Sequence, residues 1–138
     1  MTDCVIAIDQ GTTGTTALLL DRSVSVVASA NVEFPNHYPE PGHVEHDVGE
    51  IWTSVEQAVE AALAKAGPVN IVAIGITNQR ETCLFWDAET GEPIHKALVW
   101  QDRRTADFCA ELKASGVEER VRAKTGLVLD PYFAGTKA

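Results

Sequence analysis

Basic charge is scarce in this sequence. Eleven Lys and Arg residues stand against twenty Asp and Glu, for a formal net charge of −9. A nucleic-acid or anionic-membrane binder needs a basic patch, so the balance argues against both classes. A nucleotide ligand stays open, because a nest of backbone N–H groups or a metal ion can offset charge locally. Paired cysteines are missing too. Cys4, Cys83 and Cys109 are odd in number and far apart, with no CxxC. Free, mostly packed thiols in a reduced, cytoplasmic setting are the expectation. No basic segment precedes the apolar run at residues 4–8, which is also too short to span a membrane. Internal repeats, low-complexity tracts and an inter-domain linker are absent. What remains is a chain of 138 residues, 45% apolar. That is about one domain's length and enough apolar material for a packed core.

Residues 5–9 form a short apolar run ending in a carboxylate. Residues 15–20 are β-branched and then aliphatic, and residues 26–34 read as a third strand. Three strands with tight connections predict an antiparallel meander. The segment "FPNHYPEPGHVEHD" holds three prolines and a glycine, so it reads as a long ordered loop. A helix follows. Asp47 and Glu50 have capping-box spacing, and Ile51, Trp52, Val55, Ala58, Val59, Ala62 and Leu63 recur on one face. Gly67 and Pro68 end it. Residues 71–76 are nearly all apolar, the pattern of a strand buried on both faces and paired in parallel with the meander. Residues 83–86 and 94–100 read as further strands. Helices are expected over 104–115, with Asp102 as cap, and over 117–124. A loop closes the chain.

Three stretches carry chemistry. In "AIDQGTTGTTALLLD", Gly11 and Gly14 admit backbone angles that other residues resist, and Thr12, Thr13, Thr15 and Thr16 add hydroxyls. Such a turn can wrap phosphate oxygens while Asp9 holds a hydrated Mg²⁺. No GKS or GKT follows, so it is not a Walker loop, and a strand rather than a helix follows it, so it is not GxGxxG. Locally it reads equally well as a polar hairpin turn. In "TNQRET", Arg80 and Glu81 follow a buried strand, where ligands of open α/β sheets gather. A guanidinium beside a carboxylate suits the adjacent hydroxyls of a polyol, although an exposed ion pair has the same spacing. In "VWQDRRT", Trp100 is a candidate pocket wall or a rim aromatic. His43 and His46 are three apart with no third ligand nearby, which is weak metal spacing.

Taken together, "DQGTTGTTALLLD", "YPEPGHVEHDVGEIW", "GITNQRET", "VWQDRRTA" and "KTGLVLDPYFAGTK" resemble the amino-terminal part of the glycerol kinase branch of the FGGY carbohydrate kinases. They stand in the family's order and cover nearly the whole chain. The resemblance implies an α/β, actin-like and ribonuclease-H-like ATPase domain, incomplete here, with a mixed sheet that starts in the three-strand meander. On that reading residues 1–138 are the amino-terminal part of the first kinase domain, and the whole protein is a homo-oligomer. It implies ATP as co-substrate, Mg²⁺ and glycerol as acceptor. Asp9 would sit near the metal, and Thr12, Thr13, Gly14 and Thr16 near the nucleotide phosphates. Arg80, Glu81 and Tyr132 would bind glycerol hydroxyls, with Trp100 along the carbon chain. The family's catalytic base, an aspartate, falls beyond Ala138, so no residue here takes that role. The family commonly has Ser-Ser-Arg after the double threonine, where this chain has Gly14-Thr15-Thr16, and His43 stands where tryptophan is usual. Another sugar kinase of the family, or a binding module that kept the fold, are the alternatives.

Overall fold

The computed structural model describes residues 1–138. They gather into two compact units. One comprises Met1–Pro35 and Asp47–Gln79, the other Asn36–His46 and Arg80–Ala138.

The first unit is a four-stranded sheet with one helix. Strands β1 (Thr2–Gln10), β2 (Gly14–Asp21) and β3 (Val26–Glu33) form the expected meander, and β5 (Val69–Asn78) pairs in parallel with β1. The order is β3-β2-β1-β5. Alternation explains the pairing: Cys4, Ile6 and Ile8 of β1 and Ala17 and Leu19 of β2 fall on one face and are buried there. Helix α1 (Val48–Ala66) covers that face. The Asp47 carboxylate accepts from the Gly49 and Glu50 N–H groups, and Gly67, at φ 71°, closes the far end.

The helix buries most of the expected stripe: Ala58 and Ala62 are fully buried, and Val55, Val59 and Leu63 pack against the core. Trp52 departs from it at 62% exposed, and Ser54, not expected, meets the sheet. Small residues at four-residue spacing let the helix lie close to β2 and β3. Ser54 is accommodated because its hydroxyl donates to the Ile51 carbonyl at 2.7 Å. That leaves Thr15 as donor to Ser54 Oγ, also at 2.7 Å. A buried hydroxyl pair satisfied in this way avoids a desolvation cost of about 1–3 kcal/mol per group.

Strand β5 is not buried on both faces. Val72 is 57% exposed, Ile74 62% and Ile76 75%. The cause is its place at the sheet edge combined with the reach of α1, which packs mainly on β2 and β3. A register shift between Cys4 and Val5 brings Ile74 opposite Ile6 and Ile76 opposite Ile8. Both isoleucines therefore lie on the helix-bearing face but beyond the helix.

The second unit has little regular structure. The proline-rich loop contains β4 (Glu45–His46), which pairs with β6 (Ala97–Leu98). The strands expected over 83–86 and 94–100 shrink to β6 and isolated bridges at Cys83 and Trp86. Pro93 and the turn around Gly91 interrupt any longer ladder. Helices α2 (Ala106–Ala114) and α3 (Val117–Thr125) follow, then a 3₁₀ turn at Ala134–Thr136 within the terminal loop. Thr105, not Asp102, is the α2 cap position. No helix is long and apolar enough to cross a membrane.

The β2–β3 turn carries a strained residue. The Asp21 carboxylate accepts from the N–H groups of Ser23 and Ser25, and Val24 between them has φ 63°. A β-branched side chain is a poor occupant of the left-handed region, whereas Asn visits it readily. Val24 is exposed, so nothing else holds the valine there. Val24→Asn should stabilise the chain by about 1 kcal/mol. A thermal melt followed by circular dichroism checks this, and an unchanged or lower Tm would count against the strain argument.

Candidate functional site

On the first unit the site is built around the β1–β2 connection. Gly11 N–H donates to the Gly14 carbonyl at 2.9 Å and closes a tight turn over Thr12 and Thr13. The Thr13 carbonyl accepts from Phe34 N–H at 3.4 Å. The glycines are required for space rather than for backbone angle, since neither adopts a positive φ. A Cβ on Gly14 would stand 2.7 Å from the Val32 carbonyl oxygen, and one on Gly11 would stand 3.1 Å from the Gly14 oxygen. Two glutamines brace the turn. Gln10 Nε2 donates to the Gly11 carbonyl at 2.8 Å. Gln79, buried at the end of β5, donates to Gln10 Oε1 at 3.2 Å and lies 3.3 Å from the Gly11 oxygen.

Strand register then sets a polar row beside this turn. Asp9 is opposite Thr16 on β2 and Thr77 on β5, and Thr16 is opposite Asn31 on β3. Directly paired residues share a face, so Asn31, Thr16, Asp9 and Thr77 line up on the side away from α1. Asn31 Nδ2 donates to Thr16 Oγ1 at 2.9 Å. Asp9 is exposed. Thr15 points the other way, into the core on Ser54. Of the hydroxyls read from the sequence, Thr16 thus shares the Asp9 row, Thr12 and Thr13 form the turn, and Thr15 is structural. Asn31 and Thr77 were not anticipated. Their signal was available only through strand register.

On the second unit, Trp100 and Tyr132 come together, and Glu81 is tied to the terminal loop that carries Tyr132. The Trp100 and Tyr132 rings meet edge to face at 5.6 Å, and Tyr132 meets Phe133 at 5.1 Å. Glu81 Oε2 accepts from the Ala134 N–H at 2.9 Å. Glu81 also borders an apolar cavity of about 410 Å³ whose walls include Phe108, Leu112, Val121 and Leu129. Its backbone is in the left-handed region, φ 66°. A non-glycine residue held there is a strained one, and such residues concentrate at functional sites. Arg80 beside it is exposed.

A buried ionic group underlies this cluster. Asp102 is fully buried and accepts from Val44 N–H at 2.7 Å and from Arg104 through its backbone N–H, Nε and Nη2. Arg104 reaches on to Glu45 at 2.7 Å. Burial acts to raise the Asp102 carboxyl. The hydrogen bonds from Arg104 and from Val44 N–H outweigh it and hold the group below the ordinary carboxylate range. Lys137 is buried nearby, its Nζ 2.9 Å from the Val99 carbonyl and 3.3 Å from that of Trp100. Burial pushes its ammonium below the ordinary value, against the pull of Asp102, Cys83 and Glu81. His46 is buried on Asn36 Oδ1, and His43 lies 3.9 Å from Glu40. The two histidines have separate partners, and no group of three or more His, Cys, Asp or Glu residues has metal-binding geometry.

Residues 4–138 match the FGGY family of carbohydrate kinases, N-terminal domain. The chain belongs to that family. Among curated FGGY relatives, it is 56% identical over 135 residues to a glycerol kinase of Rhodopseudomonas palustris. It is 57% identical over 139 residues to one of Rhodospirillum centenum. These alignments cover 96% and 98% of the chain but 27% and 28% of the relatives, so the chain spans about a quarter of their length. In three dimensions it is similar to Plasmodium falciparum glycerol kinase solved with ADP. The TM-score there is 0.91 at 34% identity, covering 99% of this chain and 28% of that one. A xylulose kinase of Rhodospirillum rubrum gives a TM-score of 0.90 at 27% identity, covering 97% and 28%. The α/β fold with its mixed sheet is therefore that of the FGGY amino-terminal domain.

Two measurements test this geometry. Glu81→Ala removes the acceptor for Ala134 N–H and leaves the strained backbone, so it should destabilise the second unit by about 1–3 kcal/mol. Glu81→Gly loses the same acceptor without the strain and should be the more stable of the two by about 1 kcal/mol. Urea unfolding followed by Trp86 and Trp100 fluorescence ranks them, and Ala at or above Gly would contradict the strain reading. For Asp102, the lowered pKa means the unfolded state binds its proton first. The contribution is complete above the unfolded carboxylate value of about 3.9 and is lost as pH falls through the lower native one. Asp102→Asn should cost about 1–3 kcal/mol at neutral pH by removing the charged acceptor of the Val44 and Arg104 donors, while Glu45 still pairs Arg104. It should also flatten the fall in stability below about pH 4. An unaltered acid limb in the variant would assign that limb to other carboxylates.

Proposed function

We propose that this chain is the amino-terminal part of the first domain of an ATP-dependent glycerol kinase. In the whole protein it would serve transfer of the γ-phosphoryl group to glycerol, giving sn-glycerol 3-phosphate. The observation that carries the reading is the company of Glu81, Trp100 and Tyr132 in a chain 54–57% identical to glycerol kinases. A carboxylate, a phenol and an exposed guanidinium at Arg80 suit a small triol, with the Trp100 ring against its carbons.

The donor set at the β1–β2 turn fits a phosphate and its metal. Thr12, Thr13, Gly14 and Thr16 would line the phosphates, and Asp9 supplies a hard carboxylate oxygen suited to Mg²⁺. When bound, the metal neutralises charge on the transferring group. Gln10 and Gln79 keep the turn shaped for that purpose without needing to touch the ligand. Thr16 stands where an arginine is common, so phosphate charge here would be met by backbone N–H groups and metal rather than by that side chain. The residue that takes the acceptor proton would come from the length of the relatives that this chain does not span.

A second reading is a kinase for a longer sugar, favoured by the likeness to xylulose kinases at 27–30% identity. Calorimetric titration with a non-hydrolysable ATP analogue plus Mg²⁺, with glycerol and with xylulose, separates the two. Asp9→Asn should weaken nucleotide binding by about tenfold or more and leave glycerol binding unchanged, and Glu81→Gln should do the reverse. Preference for xylulose would move the assignment to the longer sugar. Equal losses for both ligands in either variant would mean a folding defect in place of a site.

A further inference from the structure

Lys137 is an unusual residue to bury. A lysine seldom leaves water completely, because its ammonium loses hydration that only good partners restore. Here it is 9% exposed. Its partners are two consecutive backbone carbonyls, Val99 at 2.9 Å and Trp100 at 3.3 Å. Those carbonyls belong to the segment that presents the Trp100 ring. Lys137 itself follows the 3₁₀ turn Ala134–Thr136, five residues after Tyr132, whose N–H donates to Asp130 Oδ1 at 2.8 Å. The ammonium thus ties the stretch that carries one ring to the stretch that carries the other. The rings meet at 5.6 Å.

The same turn is held from two further directions. Ala134 N–H donates to Glu81. Thr136 Oγ1 meets the Thr105 hydroxyl at 2.9 Å, ahead of α2, and the Cys109 thiol within it at 3.7 Å. Residues 134–137 are therefore a hub to which Glu81, Trp100 and Tyr132 are each attached. Of these ties, the lysine alone brings a positive charge, and it does so at an energetic disadvantage relative to an apolar residue of equal volume. A side chain needed merely to fill the interior would be served better by Met or Leu. What the ammonium adds is direction: charged hydrogen bonds fix the two carbonyls, and with them the peptide planes that set the Trp100 ring.

We infer that Lys137 is a positioning residue for the acceptor pocket, setting the Trp100 ring against Tyr132 through the Val99 and Trp100 carbonyls. The inference rests on the acceptor reading of Glu81, Trp100 and Tyr132. It assigns Lys137 no contact with the acceptor.

The test is nuclear magnetic resonance on the 138-residue chain with Lys137→Met, which keeps length and removes charge. The sheet unit should keep its amide spectrum. The Trp100–Tyr132 ring-to-ring NOEs should disappear, and glycerol titration should show affinity weakened by about tenfold. Lys137→Arg keeps a cationic donor and should restore the NOEs and most of the affinity. NOEs that survive in Lys137→Met would overturn the inference whatever glycerol does. Lost NOEs with unchanged glycerol affinity would overturn it also, because the ring geometry would then not matter to the pocket. An unsubstituted chain that binds no glycerol but retains its ring NOEs would sink the acceptor reading, and the inference with it. Should Lys137→Met fail to fold, the unsubstituted chain gives the answer. Its Lys137 ¹⁵Nζ signal should move with the Trp100 indole signal during glycerol titration, at the same apparent Kd. A Lys137 signal that stays fixed while Trp100 moves would overturn positioning.

Discussion

The arrangement of the second unit depends on one carboxylate kept out of water. Asp102 binds the Val44 N–H and three donors of Arg104, and Arg104 in turn binds Glu45. A charge buried without partners would be strongly unfavourable, so these contacts stand or fall as a group. Their effect is geometric. They pin the loop that runs through Val44 and Glu45 to the segment that follows Trp100. The segment that precedes Trp100 has a two-residue strand and isolated bridges, far too little ladder to hold the unit by itself. Side-chain charge does here what backbone pairing does in the sheet.

The two units are consequently stabilised by different physics. In the sheet unit, alternating apolar residues bury Cys4, Ile6, Ile8, Ala17 and Leu19 under a helix of small residues. Stability there is spread over many contacts of low specificity. In the second unit, α3 has no buried residue and α2 buries only Cys109. Shape is concentrated in a few polar ties among Glu81, Thr105, Thr136 and Lys137. Regions built this way open more readily than a packed sheet.

Regular elements were legible in the sequence where periodicity was strong. The meander, the Asp47 cap, the Gly67 stop and the parallel β5 pairing all follow from pattern and turn chemistry. The face of α1 was read correctly at Ala58 and Ala62 but not at Trp52, because periodicity counts bulk, whereas close approach to a sheet selects a small residue such as Ser54. The exposure of β5 escaped because an apolar run does not reveal what lies over it. Gly11 and Gly14 were recognised, but for backbone freedom, when the requirement is room beside a carbonyl. Asp102 looked like a helix cap and proved to be a buried hub, since its partner Val44, and Glu45 with which it shares Arg104, lie more than fifty residues away. The Asn31–Thr16–Asp9–Thr77 row could not be seen before register was known, because each member comes from a different strand.

The edge position of β5 has a consequence for the chain as a material. Residues 71–76 carry no charge and no proline, and they are rich in β-branched side chains. One side of this strand pairs with β1, and the other has no strand beside it. Its outward row of N–H and C=O groups is a template on which another extended segment can add, and Val72, Ile74 and Ile76 give such an addition apolar surface to bury. Acidic side chains flank the run only from β1, on its paired side: Asp3 opposite Asn70 and Asp9 opposite Thr77. The net charge of −9 keeps molecules apart at low salt, and that protection weakens as ionic strength screens it. Colloidal behaviour is thereby coupled to salt through a strand that the chain leaves half paired.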